Sequence, residues 1–247
     1  MIQRLLFAGL LSGLVVALFA FSFARVYAEP TIERAISLEE GGAHKHAAVE
    51  KGTISRSTQR NAGLFTGVAA YCTALGGFLA IGMAFLHGRL SVRPRSAVWT
   101  LALTGYVALV LVPQLKYPAS PPGVGSAETI GVRTELYFVM ILASAVCMAA
   151  SVWIAFRIRR RMGMALSLAI ATGLLVALAA VLMTIMPAVS ETPRDFPRGL
   201  LFEFRLHAAL MQLIVWGGLG FLFGRVAEHV VEHDRPAGVV RHRIPNA

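Results

Sequence analysis

The stretch GMALSLAIATGLLVALAAVLMTIM, residues 163–186, contains no charged side chain and no proline. About twenty helical residues cross the roughly 30 Å hydrocarbon layer of a bilayer, so this run predicts a membrane-spanning helix. Comparable apolar runs lie on both sides of it, near residues 5–27, 63–87, 97–115, 136–156 and 200–224. We therefore predict an all-α integral membrane protein, a bundle of about six transmembrane helices with a Pro-rich loop between the third and fourth.

Composition supports the same class of protein. The chain has 247 residues, of which 56% are hydrophobic and only 15% charged, and a mean hydropathy of +0.66. A soluble domain carries about 25% charged residues. The net charge of +10 resides mostly in arginines beside the apolar runs, which is typical of membrane topology signals and not of nucleic-acid binding. Cys72 and Cys147 fall inside apolar runs and are predicted to be packed thiols.

Arginine-rich, acid-free segments separate the second span from the third and the fourth from the fifth. Because positive loops remain in the cytoplasm, both segments are predicted to be cytoplasmic, as are the N-terminus and a tail at 225–247. The protein is then a single polytopic membrane domain, residues 1–247. Residues 28–62 become a non-cytoplasmic polar loop. The arginines concerned are Arg89, Arg93, Arg95, Arg157, Arg159, Arg160 and Arg161.

The first apolar run admits two interpretations. Arg4, the apolar residues and the Val26-Tyr27-Ala28 sequence resemble a signal peptide with a small-residue cleavage site. The run is longer than the roughly 7–15 residues of a signal peptide's apolar core, which favours an uncleaved helix. Cleavage would leave five spans.

The segment VPQLKYPASPPGVGSAETIGVRTELY, residues 112–137, places four prolines and several charges between two apolar runs. Pro113 is predicted to kink or break the end of the third span, because it lacks an N–H. Irregular backbone at membrane depth must line a cavity or be buried in protein. Two interpretations stay open, namely a pore-lining re-entrant element and a rigid external loop.

Several side chains suit a divalent metal ion, because carboxylates and imidazoles are transition-metal ligands. Glu203 and His207 lie four residues apart and share a helix face, either as a cation-binding pair or as an interfacial cluster. Gln212 and Trp216 continue roughly the same side. The pattern His229-x-x-Glu232-His233 resembles an inverted zinc-protease helix, but a third ligand and a cleft are missing. The candidate metal ligands are Glu39, Glu40, His44, His46 and His207.

The Pro-rich segment resembles the signature of the CbtA family, small bacterial membrane proteins proposed as a cobalt transporter subunit. The similarity covers essentially the whole chain, including Ala28-Glu29-Pro30, Gly76-Gly77 and Phe204-Arg205-Leu206. The resemblance implies a location in the bacterial inner (plasma) membrane. It also implies cobalt uptake linked to cobalamin synthesis, with a small His-rich partner subunit, CbtB. The motif residues singled out for transport are Lys116, Tyr117, Pro118, Pro121, Pro122, Glu128, Thr129, Arg133, Glu203, Arg205 and Gln212.

The expected function is a membrane subunit for uptake of a divalent cation, Co²⁺, which is cargo and not a permanently bound cofactor. No G-x-x-x-x-G-K-[ST] loop occurs, so the chain is expected to bind neither nucleotide nor nucleic acid. Its expected partners are membrane lipid and the CbtB-like subunit. No nucleophile–base pair with a recognisable spacing indicates an enzyme. The alternative function is a membrane scaffold or assembly protein without transport activity.

Overall fold

The computed structural model describes residues 1–43, 55–89, 92–189, 192–193 and 195–233, and these contain helices but no strand. Six helical segments are long and apolar enough to cross a membrane, which confirms the predicted fold class. The α-helices are α1 Ile2–Phe23, α2 Glu29–Ala43, α3 Arg56–Thr58, α4 Leu64–Leu86, α5 Pro94–Tyr106, α6 Val112–Lys116, α7 Ile130–Met162, α8 Met164–Ile185 and α9 Arg198–His233.

Short π-helical turns join several of these helices into longer rods. Ala24–Ala28 connects α1 to α2, Gln59–Gly63 connects α3 to α4, and Val107–Leu111 connects α5 to α6. A polar loop was predicted over 28–62. In the structure helix α2 ends at Ala43 and helix α3 begins at Arg56, so most of the described part of that segment is helical. The apolar run marks only the part of each rod that lies in hydrocarbon, so the sequence pattern ends before the helix does.

Helix α1 forms the centre of the bundle, packed against α4 and α9. Gly9 and Gly13 lie so close to α4 that an added Cβ on either would come within 3.0 Å of the backbone at Gly76 and Cys72. Leu5, Ala17 and other small or apolar residues complete a buried face. This close crossing makes α1 a structural part of the bundle.

Pro113 changes the third span without ending it. The residues before it, Val107–Leu111, form the π-helical turn, and the helix continues through Pro113 to Lys116. The Val112 N–H at the end of this turn donates to the Val107 carbonyl, five residues earlier, and Pro113 has no N–H, so the Ala108 carbonyl lacks a helical donor. The buried Ser144 hydroxyl of α7 donates to that carbonyl. One side chain thus satisfies the polar group that the proline exposes.

Helices α7 and α8 form a hairpin on the periphery of the bundle. Gly163 alone makes the turn between them, at a φ of +78° that favours glycine. The arginines at 157 and 159–161 therefore lie in the last turns of α7, and the prediction of a separate Arg-rich loop was wrong. Helix α8 packs mainly on α7 and leaves most of its surface exposed.

The bundle has two chemically different ends. The end formed by α2, α3, residues 117–129 and the start of α9 carries most of the acidic residues, and we name it the loop end. The opposite end carries the arginines that precede α5 and terminate α7, and we name it the arginine end. Successive rods alternate in direction between these two ends.

Candidate functional site

Four polar side chains from two helices meet at the loop end, and we name them the α2–α9 cluster: Thr31, Arg34, Glu203 and His207. Thr31 is fully buried; its hydroxyl lies 3.4 Å from Glu203 Oε1 and 3.2 Å from His207 Nδ1. Arg34 Nη2 donates to the same Glu203 oxygen at 2.6 Å. The Glu203 side chain is 37% exposed, so this carboxylate is reachable from solvent.

Packing fixes the imidazole of the cluster. The ring of Phe23, at the end of α1, meets the His207 ring edge to face at a centroid distance of 6.1 Å. Thr31 holds the Nδ1 side of the same ring. The sequence prediction that Glu203 and His207 share a face is consistent with this arrangement, since both contact Thr31.

Ion pairs hold the segment before α4 against α2. Arg56 pairs with Glu29 and Arg60 pairs with Glu33, while Arg25 Nε donates to Asn61 Oδ1 at 3.1 Å. The Glu29 side chain is only 4% exposed, so its charge depends on Arg56 for compensation. These pairs fix the orientation of α2 and hence of Thr31 and Arg34.

Deeper in the bundle, Gln212 of α9 bonds to α4 instead of to the α2–α9 cluster. The Tyr71 hydroxyl donates to Gln212 Oε1 at 3.2 Å. Trp216, one turn further, is buried with its ring against Gly105 of α5. The sequence grouped four α9 residues on one side. In the structure Glu203 and His207 contact α2, whereas Gln212 contacts α4 and Trp216 contacts α5.

The sequence interpretation missed Thr31, Arg34 and Tyr71. Thr31 and Arg34 lie three residues apart in the segment predicted as a loop, and only a helix over 29–43 places them on one face. Tyr71 is a polar group within an apolar run, and such a group calls for a hydrogen-bond partner. That signal was present in the sequence.

The candidate metal ligands do not converge within the described part of the chain, where no three His, Cys, Asp or Glu side chains are placed to hold one ion. Glu39 and Glu40 are exposed near the end of α2, and they do not lie together with His207. His44 and His46 lie outside the described residues. At the arginine end the rings of His229 and His233 lie 4.3 Å apart, both exposed.

The Pro-rich segment forms an ordered cap over the loop end. Lys116 Nζ donates to the Met183 carbonyl at 2.7 Å, and the Tyr117 hydroxyl donates to the Pro187 carbonyl at 2.8 Å. Burial raises the pKa of the Tyr117 phenol, so the hydroxyl remains a donor further into the alkaline range. Arg205 Nε donates to the Ala119 carbonyl at 3.3 Å. These bonds hold the start of the segment rigidly against α9 and the end of α8.

The remaining motif residues have mainly local roles in this cap. Pro121 is buried, Pro122 is half-buried and Pro118 is exposed. The Thr129 hydroxyl donates to the Ser126 carbonyl at 3.1 Å, while Glu128 is exposed at the start of the turn before α7.

Six apolar helices with a polar, ion-paired end define a multi-pass membrane protein. The family model for CbtA, described as a probable cobalt transporter subunit, matches residues 2–228, and the chain belongs to this family. Searches among curated proteins and among solved structures find no match.

Proposed function

We propose that the protein is the membrane subunit of a transporter that takes up a divalent cation, Co²⁺, for cobalamin synthesis. It works with a small His-rich subunit of the CbtB kind. The observation that carries this proposal is the α2–α9 cluster, in which a solvent-accessible carboxylate and an imidazole are held together at the loop end. The chain also belongs to a family described as probable cobalt transporter subunits. Membership in that family also points to a role other than catalysis.

The cluster supports a specific order of events. In the structure the Glu203 carboxylate is occupied by Arg34. A divalent cation that reaches this carboxylate displaces Arg34 and then has Glu203, His207 and the Thr31 hydroxyl as oxygen and nitrogen donors. Tyr71 and Gln212 provide the next polar groups along α9. Arginine-rich segments face the cytoplasm, so the loop end lies outside, where the ion enters.

Cobalt uptake in cells that lack other cobalt importers tests this proposal. The chain, expressed with its candidate partner, should accumulate radiocobalt above an empty vector. Glu203→Gln removes the negative charge and should reduce the initial rate about tenfold, the effect of losing one charged ligand. Glu135→Gln is the matched control, because Glu135 is exposed on α7 at the same end. Equal rates for the two variants at equal membrane levels would refute the role of Glu203.

A second candidate function is a membrane scaffold that organises a partner and moves no ion. The observation that favours it is the open face of α8, where small, exposed residues repeat every four positions: Ala165, Ala169, Gly173 and Ala177. Such a face permits close approach of another helix. If the partner accumulates only when this chain is present, but cobalt does not enter, the scaffold function is the correct one.

A further inference from the structure

A cavity of about 690 Å³ lies beneath the Pro-rich cap at the loop end. Three cationic side chains from three different helices line it: Lys116 of α6, Arg133 of α7 and Arg205 of α9. The described residues that line it include neither Asp nor Glu. Several neutral hydrogen-bonding side chains also line it: Gln114, Tyr117, Ser120, Thr134, Tyr137 and Thr192.

Lys116 and Arg205 each make a hydrogen bond to a backbone carbonyl, on Met183 and Ala119 respectively. A carbonyl carries no formal charge, so these bonds position the two cations without neutralising them. A cleft lined by charges of one sign concentrates its field and attracts the opposite charge. The described lining is therefore unfavourable for Co²⁺ and favourable for an anion.

The chemistry of the lining selects the kind of anion. Guanidinium and ammonium groups together with hydroxyl donors bind phosphate oxygens well. The volume lies within the roughly 300–1,000 Å³ of sites that hold small molecules. Leu115 and Ile130, which also line the cavity, are 68% and 58% exposed, and they lie at the ends of membrane-spanning rods. These two residues offer an apolar surface beside the cationic groups.

We propose that this cavity is a binding site for a phosphate group, carried either by an anionic phospholipid or by free phosphate. In the first case the headgroup enters between Lys116 and Arg205, and the acyl chains lie against Leu115 and Ile130. The site is separate from the α2–α9 cluster and does not depend on the proposed uptake of cobalt.

The purified full-length protein in detergent provides the test. Binding of phosphatidylglycerol, phosphatidylethanolamine and inorganic phosphate is measured by native mass spectrometry and by the shift in melting temperature. We expect phosphatidylglycerol to bind more tightly than phosphatidylethanolamine, whose ammonium group meets the cationic lining. Lys116→Gln and Arg205→Gln should each weaken binding about tenfold. Arg160→Gln, an exposed arginine at the opposite end, should leave binding unchanged.

The variants separate charge from structure. Arg205→Lys keeps the charge and should retain most of the binding even where the hydrogen bond to the cap is altered. Binding of inorganic phosphate with the same dependence on Lys116 and Arg205 supports the site with free phosphate as the source. If no ligand distinguishes the Lys116 and Arg205 variants from Arg160→Gln, the proposal is wrong. Because cobalt is absent throughout, this outcome says nothing about uptake.

Discussion

At the scale of single residues, burial decides what each ion pair at the loop end contributes. Glu29 is almost fully enclosed, whereas Glu33 is 43% exposed, yet both pair with an arginine of the segment before α4. A buried charge that loses its partner keeps the cost of its desolvation. An exposed charge is solvated instead, and its pair contributes little.

This difference predicts unequal effects of two similar substitutions. Arg56→Gln leaves Glu29 enclosed without its partner, and it should lower the free energy of unfolding by about 2 kcal/mol. That value lies between those of exposed and buried pairs, because Arg56 itself is 39% exposed. Arg60→Gln should lower it by less than about 1 kcal/mol. Denaturant titration of both purified variants in the same detergent measures the two values, and equal losses would contradict this explanation.

The sequence revealed only half of the α2–α9 cluster. Glu203 and His207 could be predicted as a pair, because four residues separate them on one helix. Thr31 and Arg34 are 172 and 169 residues away from Glu203, and a single sequence carries no signal for such distant contacts. Metal binding by Glu39, Glu40 and His207 stays a prediction, since Co²⁺ binding by any of them is untested.

At the scale of helices, Pro113, the π-helical turn and Ser144 form one structural unit. The proline removes a donor, the turn changes which carbonyl is affected, and Ser144 of α7 supplies the missing hydrogen bond. The unit also joins the peripheral α7–α8 hairpin to the rest of the bundle, because it is where α7 packs against the π-helical turn Val107–Leu111 and α6.

Ser144→Ala should lower the free energy of unfolding by about 1–3 kcal/mol, because the Ala108 carbonyl then lacks a donor in a dry environment. Ser151→Ala is the control, since Ser151 is equally buried but bonds only to Cys147 of its own helix. Pro113→Ala restores an N–H and should reduce the cost of Ser144→Ala in a double-mutant cycle. Thermal unfolding in detergent gives all four values, and an additive cycle would disprove the coupling.

The six spans could be predicted because apolar run length reports directly on bilayer thickness. The ends of the helices could not, since a helix that leaves the membrane becomes polar without ceasing to be a helix. The arginines at 157 and 159–161 illustrate this, being helical residues that extend α7 toward Gly163. The segment 29–43 is a second example at the opposite end.

At the scale of the whole molecule, charge asymmetry between the two ends predicts orientation. The arginine end should be cytoplasmic, and the cap of residues 117–129 should lie outside. A reporter active only in the cytoplasm should give a signal when fused after Gly163 and none when fused after Gly123. A reporter active only outside should show the reverse. The reverse of both patterns would overturn the direction of ion entry proposed above.

The rod formed by α1, the turn Ala24–Ala28 and α2 has a mechanical consequence. Residues 2–43 at 1.5 Å each span about 63 Å, roughly twice the hydrocarbon thickness of a bilayer. Its inner half is clamped to α4 by the glycine crossing, and its outer half carries Thr31 and Arg34. The pairs of Arg56 with Glu29 and of Arg60 with Glu33 fasten the outer half to the rod that contains α4 as well, so the two rods are joined at two levels. The rod is thus one continuous support that runs from the α2–α9 cluster to the opposite end of the bundle.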